Sequence, residues 1–109
     1  MSRLVVPQHA KAAASAALRL RRSLPKSRKF GLKQSQADRL GISSGVSRAK
    51  QLINSKSISL DDACRVAAFY LRFRGCRSQK CEGAIGLWGG RRFGQMAAAH
   101  CKKHRRQSP

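Results

Sequence analysis

Ser59, followed three residues later by Asp62, divides the tract SGVSRAKQLINSKSISLDDACRVAAFY (Ser44–Tyr70) into two helices, and no other feature constrains the fold as tightly. A serine hydroxyl at a helix start accepts an otherwise unpaired backbone N–H, and S-x-x-D ahead of an apolar run marks that start. Downstream, Leu60, Ala63, Cys64, Ala67, Tyr70 and Leu71 fall together on a helix predicted from Leu60 to about Phe73. Asp61 and Asp62 suit the positive end of its dipole. Upstream, Ser43 or Ser44 caps a helix over Val46–Asn54, where Val46, Ala49, Leu52 and Ile53 share a face. Ser57–Ser59 break the pattern between the two.

The flanks extend the same period. Pro7 suits the first residue of a helix reaching Arg22, with Ala10, Ala13, Ala14, Ala17 and Leu18 on one stripe, and Pro25 ends it. Residues 23–35 read as a basic linker. Gln34–Leu40 suits a short helix stopped by Gly41. Arg74–Gly83 reads as a polar loop bracketed by Cys76 and Cys81, then a helical turn over Ala84–Trp88 broken by Gly89 and Gly90. A last helix, Arg92 to about His104, carries Phe93, Met96, Ala97, His100 and Cys101 on one side. No repeat and no strand pairing is visible. The expectation is an all-α chain, a small helical bundle of four to five short helices with basic flexible ends. It forms one domain over 1–109, with a core at 33–104, an N-terminal helix and basic linker at 1–32, and a tail at 105–109.

Charge selects the partner class. Lys and Arg number 24 against four acids, a net charge of +20, and self-repulsion of that size favours a counter-charged partner. Nucleic acid fits, because every phosphate neutralised releases condensed counterions; DNA is favoured over RNA. A membrane surface fits poorly, since the amphipathic segment at 8–22 presents alanine rather than the bulky face that lipid insertion favours. Neither a spanning run nor a signal-peptide core is seen, which points to a soluble protein, intracellular or packaged. The Arg- and Ser-rich N-terminus also resembles a transit peptide.

Residues 34–71 admit two readings. One is a helix–turn–helix whose second helix exposes Ser47, Arg48, Lys50 and Gln51 to base edges or phosphates. The other is an ordinary helical pair with a solvated basic face. The clusters Arg19/Arg21/Arg22, Lys26/Arg28/Lys29, Arg72/Arg74/Arg77/Lys80, Arg91/Arg92 and Lys102/Lys103/Arg105/Arg106 lack the interleaved acids of a merely solvated surface. Phe30, Phe73, Trp88 and Phe93 lie near cations and could stack on bases, although a small alanine-rich bundle needs Phe73 and Trp88 inside.

Four cysteines without a secretory signal argue against a disulfide framework and for free thiols or a metal. Cys76, Cys81, Cys101 and His104 offer soft ligands at a spacing compatible with a structural zinc, and His100 with His104 is an alternative pair on one helix face. Cys64 reads as a buried small hydrophobe. Three histidines and dispersed acids supply no catalytic constellation, so a non-enzyme is expected.

Three segments together carry a resemblance: VPQHAKAAASAALRLRRSLPKSRK (Val6–Lys29), SGVSRAKQLINSKSISLDDACRVAAFYLR (Ser44–Arg72) and IGLWGGRRFGQMAA (Ile85–Ala98). They resemble a small module found in bacteriophage genomes, alone or attached to other phage proteins. Gly45, Val46, Arg48, Ala49, Leu52, Leu60, Phe69, Trp88, Gly89, Gly90 and Gly94 match its pattern. Arg91 and Arg92 stand where that family commonly has an acid, Met96 replaces a tryptophan, and the Cys/His set is no part of the pattern. The resemblance implies a phage context, in the host cytoplasm of an infected cell or in the virion. The resulting expectation is a basic nucleic-acid-binding protein acting through phosphate contacts, with Arg48, Lys50, Arg72, Arg74, Arg91 and Arg92 as its first contacts. The alternatives are a capsid-associated or internal virion protein that also meets other virion proteins, and a small ribosome- or RNA-associated protein.

Overall fold

The computed structural model describes residues 3–25 and 45–105. Among them are five helices, α1 (Gln8–Ser23), α2 (Gly45–Asn54), α3 (Leu60–Phe73), α4 (Gln79–Leu87) and α5 (Gly90–Arg105), and two short strands, β1 (Leu4–Val5) and β2 (Ser57–Ile58). The chain is an all-α bundle. Most of the basic linker, the Gln34–Leu40 helix and its Gly41 stop, Phe30, and the last four residues lie outside the described residues.

Local chemistry sets the helix starts. Extended Pro7 precedes α1, and its carbonyl accepts from Ala10 N at 3.1 Å and Lys11 N at 3.2 Å. The Ser59 hydroxyl accepts from Asp62 N at 3.1 Å, as the sequence pattern requires. Ser78 does the same for Cys81 N at 3.2 Å, so α4 begins at Gln79 and not at Ala84. The expected Arg74–Gly83 loop is therefore half helix. Its first turn is Gln79, Lys80, Cys81 and Glu82, mostly solvent-facing, and no apolar period announces it.

Two further expectations are corrected. Strand pairing does occur: β1 runs antiparallel to β2 with Leu4 opposite Ile58 and Val5 opposite Ser57. Val6 N donates to Lys56 O at 2.9 Å, continuing the ladder. Leu4, Val6 and Ile58 are buried while Val5 faces solvent, an alternation too short to be read in advance. The N-terminal helix, expected outside a 33–104 core, belongs to the core. Ala10, Ala14 and Ala17 are buried on the face that packs against α2, α4 and α5. Small side chains permit the approach, since a methyl built on Gly86 would lie 3.0 Å from Ala17 Cβ.

The centre of the bundle is the antiparallel α3–α5 pair. Its register is fixed by a Cys64–Cys101 disulfide, by Asp61 with Arg105, and by the Arg91 guanidinium on the Arg74 carbonyl. Phe93, Val66, Ala63 and Ala97 are fully buried between them. The turn into α5 places Gly89 at φ +102° and Gly90 at φ +87°, the region that L side chains avoid. Gly94 sits under Tyr70, where a Cβ would fall 2.6 Å from Tyr70 Cδ1 and 2.7 Å from Tyr70 Cβ. Because the obstructing atoms are the root of the ring rather than a flexible tip, Gly94→Ala is expected to cost ~1–3 kcal/mol by forcing the two helices apart. Urea denaturation of the variant measures this.

Candidate nucleic-acid interface

An interface of this kind needs cations that face water and acids that do not compete. The three described acids are each held by arginine. Asp62, at the start of α3, receives Arg48 Nη1 at 3.2 Å, Arg65 Nη1 at 3.0 Å and Gln51 Nε2 at 2.9 Å. Asp61 receives Arg105 Nη2 at 3.1 Å, and Glu82 pairs with Arg91.

The first of these pairs corrects the reading of α2. Arg48 is not an exposed contact residue: 4% of it is accessible. Its guanidinium meets Asp62 and the Gln51 amide oxygen, and its Cζ lies 4.9 Å from the centre of the Trp88 ring. Among the described residues Arg48 Nε has no hydrogen-bond acceptor, and the aromatic face supplies an electrostatic partner for the guanidinium. Trp88 in turn stacks on Phe69, centroids 4.5 Å apart and planes 4° from parallel, and Phe69 touches Phe73 at 4.6 Å. Arg48, Trp88 and Phe69 thus join α2, the α4–α5 turn and α3 into one stack. The aromatic residues are packing elements, as the need for large side chains in a small core implies. A shallow depression lined by Ser47, Arg48, Gln51, Asp62 and Arg65 lies over this pair.

Burial opposes ionisation of Asp62. Hydrogen bonding by Gln51, the Arg48 charge, and hydrogen bonds from Arg48 and Arg65 together outweigh that cost and hold the carboxyl below its ordinary value. A carboxyl lowered by folding contributes stability above the unfolded value, ~3.9 for aspartate, and loses it as pH falls through the folded value. Thermal melts from pH 7 down to pH 2 should therefore fall steeply below about pH 4. An Asp62→Asn variant should start lower at pH 7 and show a shallower acid limb.

Arg91 works as a clasp. Its Nε donates to Glu82 Oε1 at 3.0 Å, its Nη1 to the Arg74 carbonyl at 2.8 Å and its Nη2 to the Cys76 carbonyl at 3.2 Å. It caps the C-terminal end of α3 and anchors the loop closed by the Cys76–Cys81 disulfide. Hydrogen bonding to Arg91 holds the Glu82 carboxyl below its ordinary value. Around this clasp Arg72, Arg74, Arg77, Lys80 and Arg92 face solvent, and Lys50 is exposed on α2. Of the six contact residues expected from the sequence, four (Lys50, Arg72, Arg74 and Arg92) are displayed, Arg91 is engaged and Arg48 is interior.

The proposed zinc set does not assemble. Cys76 is bonded to Cys81 and Cys101 to Cys64, so three of the four ligands are taken by sulfur. No group of three or more potential ligands exists among the described residues. The expectation of free thiols is corrected by geometry: Cys64 and Cys101 share the α3–α5 seam with Cα atoms 5.1 Å apart. His104 lies beside His100, ring centroids 4.3 Å apart and planes tilted by 47°. Burial, then the His100 and Lys103 charges, lower its pKa.

No described helix is long and apolar enough to cross a membrane. Comparison with protein families, with curated proteins and with solved structures found no match for this chain.

Proposed function

We propose that this protein is a phage-related, non-enzymatic binder of nucleic acid, DNA in preference to RNA, acting through phosphate contacts. One observation carries the reading: 24 basic residues face four acids, and each described acid is already held by an arginine. Whatever the internal pairing, an excess of +20 is left for an external counter-charge. Arg72, Arg74, Arg92 and Lys50 lead the contact set, and the other surface cations add affinity without selectivity.

Counterion release makes the test direct. If six or more phosphates are engaged, affinity for a duplex falls by roughly three or more orders of magnitude between 50 and 200 mM salt. Fluorescence anisotropy titrations across that range measure the slope. An affinity that ignores salt, or no affinity at low salt, overturns the reading.

Two disulfides favour a second reading. Disulfides persist outside the reducing cytosol, so a virion component lying against packaged DNA or an acidic shell protein fits the cysteines better than a regulator that works in the host cytoplasm. Mass spectrometry of purified particles separates the two, because a regulator is absent from them.

A further inference from the structure

The exposed cations are not spread evenly over the α3–α5 pair. The register set by Cys64–Cys101 and Asp61–Arg105 brings the C-terminal end of α3 beside the N-terminal end of α5. On the solvent side, Arg72, Arg74 and Arg92 gather at that end, and Arg65, Lys102 and Lys103 at the other. Between them the exposed positions are Ala68, Leu71, Gln95 and Ala99, uncharged and of low relief. The Gln95 amide donates to the Tyr70 hydroxyl at 3.3 Å. Ten residues separate Arg92 from Lys102, about 15 Å of helix at 1.5 Å per residue. The major groove of a duplex is ~12 Å wide between its phosphate walls, and the flexible stems of arginine and lysine accommodate the difference.

Resting on the polyanion reading above, we propose that the outer face of α3 and α5 straddles the major groove of duplex DNA. One cationic cluster meets each flanking phosphate strand, and the neutral strip spans the opening. A single-stranded ligand does not suit this face. Single strands are gripped by stacking on aromatic side chains, whereas here Trp88 stacks on Phe69, Phe73 packs tilted against Phe69, and Tyr70 and Phe93 are buried. Arg91 and the Cys76–Cys81 loop hold the first cluster in place. Two described acids lie at the second cluster: exposed Asp61, offset by Arg105, and partly buried Asp62, which accepts from Arg65 at 3.0 Å. The free charge there rests on Lys102 and Lys103 with the outward edge of Arg65.

The test uses the oxidised full chain, a 24-base-pair duplex and a single strand of the same length, read by anisotropy over 50–200 mM salt. Three charge-matched triple variants are compared: Arg72→Gln/Arg74→Gln/Arg92→Gln, Arg65→Gln/Lys102→Gln/Lys103→Gln, and Arg19→Gln/Arg22→Gln/Lys56→Gln on other surfaces. All substituted side chains are at least partly exposed, and circular dichroism confirms that each variant folds. Each face triple should reduce the salt slope by roughly 2.7, at about 0.9 for each phosphate no longer neutralised, and the third triple by less than about 1. Equal losses in all three, or a single strand bound as tightly as the duplex, overturn the groove-straddling face while leaving the polyanion reading intact. A wild-type chain that binds neither ligand overturns both.

Discussion

Asp62→Ala is expected to remove about 3–5 kcal/mol of folding stability, the penalty for leaving a buried charge without its partner. The loss is large because of what remains. Arg48 is 4% accessible and Asp62 lies within hydrogen-bond reach of it. Without the carboxylate, the guanidinium keeps, among the described residues, the Gln51 amide and the Trp88 face, and neither carries a full negative charge. The reverse change is milder. In Arg48→Met the aliphatic stem still fills the space against Trp88, and Asp62, one-fifth exposed, keeps Gln51, Arg65 and water. The double variant Arg48→Met/Asp62→Leu should recover most of what Asp62→Ala loses, because two apolar groups of matching volume replace a pair whose desolvation is costly. Urea midpoints for the three proteins supply the comparison. A loss below about 1 kcal/mol for Asp62→Ala places the pair in water, where exposed ion pairs are worth that little.

The same residues show where the sequence was readable. The capped start at Ser59 and the periods of α1, α2 and α3 gave element type and near-correct bounds, because each depends on neighbours within four residues. Gly89 and Gly90 are legible as a helix break, and the structure gives them positive φ angles, whereas the need for Gly94 arises from the Tyr70 ring seated on its backbone. What could not be read is what depends on distant partners. A helical wheel puts Arg48 outside, and only the arrival of Trp88 from forty residues downstream turns that side of α2 inward. The β1–β2 ladder joins segments more than fifty residues apart. The Cys64–Cys101 pair follows the α3–α5 register, which no spacing rule contains. Among the expected contact residues, those that stayed outside lie at helix ends or on the solvent side of their helices, where no packing partner competes for them.

Opening the Cys64–Cys101 disulfide should have an effect of similar size through a different route. The bond closes a sequence separation of 37 residues, and in the chain-entropy account a loop of that length adds about 4 kcal/mol by restricting the unfolded ensemble. Cys76–Cys81 spans a separation of 5 residues and adds only ~2 kcal/mol on the same basis. The ordering is the test: Cys64→Ala/Cys101→Ala should lower the melting temperature by about 15 °C or more, and Cys76→Ala/Cys81→Ala by roughly half of that. A dithiol reductant applied to the wild-type chain should match or exceed the first variant. Identical melting with and without reductant contradicts the pairing. The result also bears on where the protein works. Against a net domain stability of ~5–15 kcal/mol, the reduced chain keeps a thin margin, and its +20 charge works against the remainder. A polyanion bound only by the folded state restores stability in proportion to the logarithm of its concentration over Kd. A duplex at saturating concentration should therefore raise the melting temperature of reduced and oxidised protein alike at low salt, and lose that effect as salt weakens binding.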